Sequence, residues 1–326
     1  MSHYNEEQLQ QALRQCEREP IHQISQIQSH GALLVLSADS QHIVLQASEN
    51  LSNFFDSPID GALGKSLVEL LGIKSAMQIE QLIHNIDKEN STNRLVRVVL
   101  HQQPVNLQVR LFVSGGMFVL ELFHDDTHQT KHLQELLVLM KQALPDLDVD
   151  TDSNYFAQIV TLVREFTGFD RVMVYRFDTN WDGEVIAESR EETTTSYLGL
   201  HFPASDIPPQ ARRLYTCNLV REVADIEGQS VSILPALNPV SKEPLDMTYS
   251  ILRSFSPVHI EYLKNMGVQA TMSISLLQDG RLWGLIVCHH MTAKRVSNTL
   301  HDMAEFISRM VSVKLTSIMS LEHSNQ

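Results

Sequence analysis

Residues 271–290 read TMSISLLQDGRLWGLIVCHH, two apolar runs separated by Gln278-Asp279-Gly280. Asp-Gly between apolar runs is a strong hairpin signal, because a tight two-residue turn requires positive φ angles. The stretch therefore predicts two antiparallel strands, over 271–277 and 282–289.

Other elements surround this hairpin. Residues 172–177 predict a strand, and residues 209–222, with prolines at their start, predict a helix. A second helix is expected from Asp152 or Ser153 to Gly168, and a third from Asn298 almost to the end of the chain. Helices combined with a hairpin indicate an α+β domain with an antiparallel sheet.

The N-terminal part predicts a further antiparallel sheet. Residues 105–113 alternate between apolar and polar, and Ser114-Gly115-Gly116 turns the chain into a run over 117–123. Residues 95–100 predict a neighbouring strand, and shorter strands are expected over 31–36 and 43–45. Helical spacing over 131–144 places a domain boundary near 126–135, so two α+β domains are expected in 326 residues.

Composition excludes several classes of protein. The formal net charge of −14 would repel a phosphate backbone, so nucleic acid is not an expected partner. Three cysteines without a CxxC pair fit a reducing compartment, and neither an 18-residue apolar stretch nor a signal peptide is visible. We expect a cytoplasmic protein without a membrane segment.

A long segment from about Asp225 to Ile251 contains Pro235, Pro239 and Pro244 but no sustained periodicity. Connections in compact domains are usually a few residues long, so a loop of this length predicts a function of its own.

Asp206 is the first candidate for a functional site. It precedes Pro208-Pro209 in the segment 197–212, YLGLHFPASDIPPQAR, so its backbone is held rigidly. The spacing alone equally allows an ordinary helix-capping aspartate.

Three further sets of residues are candidates. His259 and Tyr262 are three residues apart and would share one face of a helix. Arg221 and Arg253 could be ordinary ion-pair partners, or could bind a ligand carboxylate if they converge. His289 and the following histidine point to opposite faces of their strand, so one faces inward.

A zinc site is disfavoured because no other Cys or His stands at ligand spacing. No GxSxG, HExxH or Gly-rich phosphate loop is visible, so we expect no enzyme.

These pieces, taken in order, resemble the GAF domain of bacterial phytochromes, and the N-terminal part resembles the PAS region of the same family. The GAF resemblance lies in residues 170–177 (DRVMVYRF), 183–188 (GEVIAE), 202–208 (FPASDIP), 253–268 (RSFSPVHIEYLKNMGV) and 282–290 (LWGLIVCHH). The PAS resemblance lies in residues 16–22 (CEREPIH), 27–28 and 30–33. Gln23-Ile24-Ser25 and Ser29 depart from the family pattern.

The resemblance implies a bilin ligand, biliverdin, attached through a thioether at Cys16. Val258 occupies the place where the plant and cyanobacterial branch has its attachment cysteine. The resemblance further implies that Arg221 and Arg253 bind the two propionates of the bilin. It also implies that His259 and the Asp206 carbonyl accept hydrogen bonds from the pyrrole N–H groups. His289 would bond the D-ring carbonyl. The other residues implied in binding are Tyr175, Phe202, Ile207, Pro208, Tyr215, Ser256, Tyr262, Thr271 and Ser273.

The implied function is a red/far-red photoreceptor module that signals through Z/E isomerisation of biliverdin. The implied organisation is an N-terminal segment over 1–21, a PAS-like domain over 22–128 and a GAF-like domain over 129–326, with the long loop forming a lasso around the N-terminal segment, a rare knot. A PHY domain and an output domain would follow, and a homodimer would form through helices near 131–144 and 298–319. The alternatives are an engineered near-infrared fluorescent protein of this family and a cyclic-nucleotide-binding GAF regulatory module.

Overall fold

A computed structural model describes residues 18–54, 59–86, 96–99, 106–124 and 152–324. They fall into two compact units, each with its own antiparallel sheet. The first unit is formed by Pro20–Asp126 with Gly228–Ser256, and the second contains the described residues 152–227 and 257–324. The predicted α+β fold with two antiparallel sheets is confirmed. None of the helices in the described ranges is long and apolar enough to cross a membrane.

Within the described residues, the first unit has a seven-stranded sheet in the order β1-β11-β3-β2-β6-β5-β4. Leucine, valine and phenylalanine side chains from its central strands are buried on both faces. The predicted hairpin over 105–123 and its neighbour over 95–100 are confirmed. The strands are Gln26–Gln28 (β1), Ala32–Leu36 (β2), Val44–Ser48 (β3), Val96–Val99 (β4), Asn106–Ser114 (β5), Met117–His124 (β6) and Ser230–Leu234 (β11).

Two helices of the first unit, Ile59–Ala62 (α1) and Leu67–Asn85 (α2), were not predicted from the sequence. The second begins with a capping box: Ser66 Oγ accepts from the Glu69 N–H, and the Glu69 side chain accepts from the Ser66 N–H. The Ser-x-x-Glu spacing is a sequence signal for a helix start that could have found it.

The long proline-containing segment belongs to the first unit. Its strand β11 pairs with β1 on one side and β3 on the other, although the sequence showed no periodicity there. The buried Glu121 carboxylate on β6 accepts hydrogen bonds from Ser250 Oγ and the backbone N–H of Leu252. The segment is therefore fixed by ladder hydrogen bonds at one end and by a buried carboxylate at the other.

The second unit has a six-stranded sheet in the order β10-β12-β13-β7-β8-β9, counted over the described residues. Asp279 and Gly280 have φ angles of 48° and 76°, so the predicted Asp-Gly hairpin turn is confirmed. The strands are Arg171–Phe177 (β7), Gly183–Arg190 (β8), His201–Phe202 (β9), Val220–Val223 (β10), Ala270–Gln278 (β12) and Arg281–His290 (β13).

Helices Asp152–Thr167 (α3) and Asn298–Ser324 (α6) cover one face of this sheet and bury a continuous apolar core against it. Their predicted positions are confirmed, including Gly168 with a φ of 65° directly after α3. Helices Pro209–Cys217 (α4) and Pro257–Asn265 (α5) complete the described part of the unit.

The predicted helix over 209–222 is wrong in its second half. Helix α4 ends at Cys217, where the Asn218 N–H bonds the Leu214 carbonyl, and Val220–Val223 then form an edge strand paired with β12. The β-branched Val220 and Val223 are buried in this strand, where they pack better than in a helix.

The predicted domain ranges remain a prediction, with one difference in the structure. The range 129–326 placed the segment 228–256 in the second domain, whereas the structure places it in the first unit. Long-range pairing with β1 and β3 decides this, and such pairing has no local signal. The predicted helix over 131–144 lies outside the described residues. The predicted knot, in which the long loop would surround the N-terminal segment, stays a prediction.

Glu222 on β10 provides a test of the second unit. Its carboxylate accepts from the Val296 N–H at 2.6 Å, and burial raises its pKa to about 8, against the weaker lowering effects of that bond, Arg295 and Arg221. The folded state thus keeps a proton that the unfolded state loses above the ordinary pKa. The free energy of unfolding should fall between pH 5 and pH 8, by on the order of 4 kcal/mol for this group.

In Glu222→Gln the amide oxygen still accepts from Val296 N–H and cannot ionise, so this part of the pH dependence should disappear. The measurement is urea unfolding at pH 5 and pH 8, followed by tryptophan fluorescence, because both tryptophans, Trp181 and Trp283, lie in the second unit. Glu227→Gln, at an exposed position, is the control. Equal pH dependence in the Glu222→Gln and control proteins would contradict the assignment.

Candidate functional site

The sheet of the second unit separates two kinds of side chain. Alternate residues of β7, β12 and β13, such as Val174, Ile274 and Ile286, enter the core under α3 and α6. The residues between them point to the opposite face, which we call the site face. It carries Arg171, Met173, Tyr175, Arg221, Thr271, Ser273, Leu285, Val287 and His289.

Strand register brings five of the predicted residues together on the site face: Tyr175, Arg221, Thr271, Ser273 and His289. His289 lies between Thr271 on one neighbouring strand and Arg171 on the other, and Arg221 is directly opposite Ser273. Directly opposed residues have Cβ atoms about 5 Å apart, so these side chains are contact neighbours. All five side chains are buried.

Asp206 lies in a short 3-10 turn before α4, where the alternative role of helix cap is wrong. Pro208 is the N-cap residue of α4 and Pro209 its first residue, and no side chain caps the helix. Asp206 Oδ2 instead accepts a hydrogen bond of 3.0 Å from the Tyr262 hydroxyl. Burial raises the pKa of Asp206, while the bond from Tyr262 opposes that rise.

Helix α5 carries the predicted pair His259 and Tyr262 on one face, as their spacing requires. Their rings stack at 6.3 Å between centroids, with planes 17° apart. Burial, assisted by the positive charge of Arg221, lowers the pKa of His259 to about 4. The imidazole is therefore neutral near pH 7.

An aromatic cluster borders the site face. Phe202 lies 6.0 Å from the Tyr175 ring and 6.1 Å from the Tyr197 ring, and Tyr197 meets His289 edge to face at 6.5 Å. Gly183 makes room for Tyr175, because a Cβ at position 183 would lie 1.8 Å from the tyrosine ring. These rings form an apolar wall.

The turn that carries Asp206 is held by Arg212 of α4. Its Nη1 donates to the Ile207 carbonyl at 2.8 Å, and its guanidinium lies 4.6 Å over the Trp181 ring. Ile207 packs against the apolar cluster around Tyr175 and Leu285, and Tyr215 packs there too. The turn is therefore held by the hydrogen bond from Arg212 to its backbone and by the apolar packing of Ile207.

Three predicted site residues lie elsewhere. Arg253 and Ser256 belong to the first unit, where Arg253 is buried and its Nη1 donates to the Ile21 carbonyl at 2.6 Å. The convergence of Arg253 with Arg221 therefore stays a prediction. Cys16 lies outside the described residues, and the free cysteines within them are the exposed Cys217 and the buried Cys288.

Arg171 and Tyr197 were missed as site residues, although both stood in quoted motifs. The guanidinium of Arg171 lies 3.6 Å from the Tyr197 ring centroid, and its Nη2 is 2.8 Å from His289 Nδ1. Strand register creates this contact between residues 118 positions apart, so no local pattern reveals it. Among the described residues, no group of three His, Cys, Asp or Glu side chains could hold a metal ion.

Two family models match the chain: a GAF domain over residues 154–315 and a PAS fold over residues 16–123. Cyanobacterial phytochrome B of Nostoc sp. is 39% identical over 305 residues, which are 93% of this chain and 40% of that protein. A bacteriophytochrome of Pseudomonas aeruginosa is 39% identical over 310 residues, 92% of this chain and 40% of that protein. The chain thus spans about 40% of the length of these curated relatives.

The chromophore-binding domain of an unusual bacteriophytochrome from R. palustris has the same fold, with a TM-score of 0.85 and 34% identity. The match covers 94% of this chain and 99% of that domain. By sequence over nearly its whole length and by fold, this chain belongs to the phytochrome family of light sensors, as a PAS-GAF chromophore-binding module of the bacteriophytochrome type.

Proposed function

We propose that the chain binds biliverdin covalently through Cys16 and senses red and far-red light by its Z/E isomerisation. The observation that carries the proposal is the site face and its neighbours. Buried guanidinium groups and the neutral His289 lie on one face of the sheet, the neutral His259 lies on helix α5, and an aromatic wall borders the face. When bound, the bilin supplies light absorption and a double bond that light isomerises. The protein supplies orientation, charge and the groups that respond to the movement.

The charges of the site face suit a ligand with carboxylates. Arg221 is 6% exposed and is paired with Ser273 on the neighbouring strand, so a guanidinium fork and a hydroxyl lie side by side. Biliverdin has two propionates, and a carboxylate can accept paired hydrogen bonds from such a fork. We assign Arg221 to one propionate, with Thr271, Ser273 and Tyr215 as lesser partners, and Arg253 with Ser256 to the other.

A buried tetrapyrrole with several N–H groups requires acceptors, since unpaired buried donors are costly. The neutral His259 ring can accept one such bond, and the Asp206 backbone carbonyl can accept another. The Asp206 carboxylate is bonded to Tyr262 and would be a new partner for a ring that rotates. Tyr175, Phe202 and Tyr262, with Ile207 and Pro208, would surround the apolar edges of the bilin.

Assembly partners belong to the same proposal. Helix α6 exposes Phe306 and Val313, which are seven residues apart and so share one helical face. We propose that this face, with the segment over 131–144, forms a homodimer contact. A PHY domain and an output domain in the full-length protein would receive the signal.

Colour separates this proposal from the alternative of a cyclic-nucleotide-binding GAF module. Purified protein mixed with biliverdin should develop a strong red absorption band, and red light should produce a reversible difference spectrum. A colourless mixture whose thermal stability rises with cyclic nucleotide would favour the alternative. A coloured, strongly fluorescent protein without a light-induced change would favour the fluorescent-protein alternative.

Covalent attachment should require Cys16, because the thiolate is the nucleophile and Val258 leaves no second attachment cysteine. Cys16→Ser should bind biliverdin without retaining it through denaturation, as seen by zinc-enhanced fluorescence on a denaturing gel. Cys217→Ser and Cys288→Ser are the matched controls and should keep the signal. Retention by Cys16→Ser, or loss in a control, contradicts the assignment.

Arg221→Met should weaken biliverdin binding about tenfold to a hundredfold, because a hydrogen bond to a charged group is worth roughly 1.5–3 kcal/mol. The measurement is a titration followed by absorbance, in a Cys16→Ser background so that binding stays reversible. Arg213→Met, at an exposed position of α4, is the control and should bind as the parent does. Equal affinities for the two variants would remove Arg221 from the site.

A further inference from the structure

Arg171 occupies an unusual position on the site face. It is 1% exposed at the start of β7, and no carboxylate in the described part of the chain forms an ion pair with it. Buried arginines normally have an acidic partner, because an unpaired buried charge is costly. The contacts that replace a carboxylate therefore indicate what this cation does.

Three groups surround the guanidinium. Nη1 donates to the Thr195 carbonyl at 2.8 Å, Nη2 lies 2.8 Å from His289 Nδ1, and the Tyr197 ring lies 3.6 Å from the guanidinium carbon. The Thr195–Tyr197 segment is itself fixed, because Glu188 accepts from Ser196 Oγ and from the Tyr197 N–H. The Thr195–Tyr197 segment thus holds the Arg171 guanidinium in a fixed orientation towards His289.

The chemistry of this contact fixes the proton of His289. A guanidinium has only donors, so Nδ1 must be the acceptor, and an imidazole that accepts at Nδ1 carries its proton on Nε2. Burial, and then the positive charge of Arg171 and the proximity of His259, lower the pKa of His289 to about 3. The ring therefore stays neutral near pH 7.

We infer that Arg171 is a positioning residue that locks His289 in its Nε2–H form and so makes it a hydrogen-bond donor to the ligand. Nε2 has no protein partner among the described residues, so its proton is available. In a bilin, a terminal-ring carbonyl oxygen is the acceptor that such a donor fits. This last step rests on the proposed function, whereas the tautomer does not.

The locked form matters because the other tautomer would reverse the polarity at Nε2. An Nε2 lone pair facing a carbonyl oxygen is repulsive, so a ligand carbonyl would lose its donor. A neighbouring cation that only donates hydrogen bonds prevents this reversal and leaves the ring neutral. A carboxylate at Nδ1 would instead favour the charged imidazolium.

The test reads the tautomer directly in the protein without bilin. Long-range ¹H–¹⁵N correlation spectra of ¹⁵N-histidine protein at pH 7 distinguish Nε2–H, Nδ1–H and imidazolium forms, and a His289→Asn spectrum assigns the signal among the 15 histidines. We expect Nε2–H in the native chain. Nδ1–H or imidazolium there overturns the inference, whether or not any Arg171 variant folds.

Arg171→Met removes the donors and should lower the ratio of Nε2–H to Nδ1–H by roughly tenfold or more, as expected for loss of a charge-assisted hydrogen bond. Arg176→Met is the matched control, since Arg176 lies on the same strand and pairs with Glu184 at 2.9 Å. An unchanged ratio in folded Arg171→Met, or an equal change in the control, contradicts the inference. A native chain with Nε2–H that stays colourless with biliverdin would instead reject only the proposed function.

Discussion

Antiparallel pairing of β7, β13 and β12 is the constraint on which the second unit depends. With side chains alternating between faces, one register sends Val174, Ile286 and Ile274 into the helix-covered core and leaves Arg171, Tyr175 and His289 on the opposite face. A shift of one residue would exchange the two sets. The register that builds the core therefore also builds the site.

The residues of the candidate site are electrostatically asymmetric. Arg171 and Arg221 are buried cations, whereas His259 and His289 are held neutral by burial and by those same cations. Asp206 is only half-buried and is bonded to Tyr262 rather than to an arginine. Such a site suits a ligand that brings its own carboxylates and its own N–H donors, as the proposed biliverdin ligand would.

Several side chains outside the candidate site hold its residues in position. Arg212 and Trp181 hold the turn that carries Asp206, and Glu188 holds the segment whose Thr195 carbonyl aims Arg171 at His289. In the first unit, Glu121 anchors the residues just before Arg253 in a similar way. Buried polar groups with several partners are stiff, which keeps the site geometry defined without the ligand.

The sequence by itself determined the class of fold, the Asp-Gly hairpin and the helices that start at Asp152 and Asn298, because turn chemistry and periodicity are local. It also placed His259 and Tyr262 on one helical face. Tertiary structure alone decided the strand at Val220–Val223, the pairing of β11 with the first unit and the contact between Arg171 and His289. These depend on which distant strands become neighbours, and long-range register leaves no signal in a local stretch of residues.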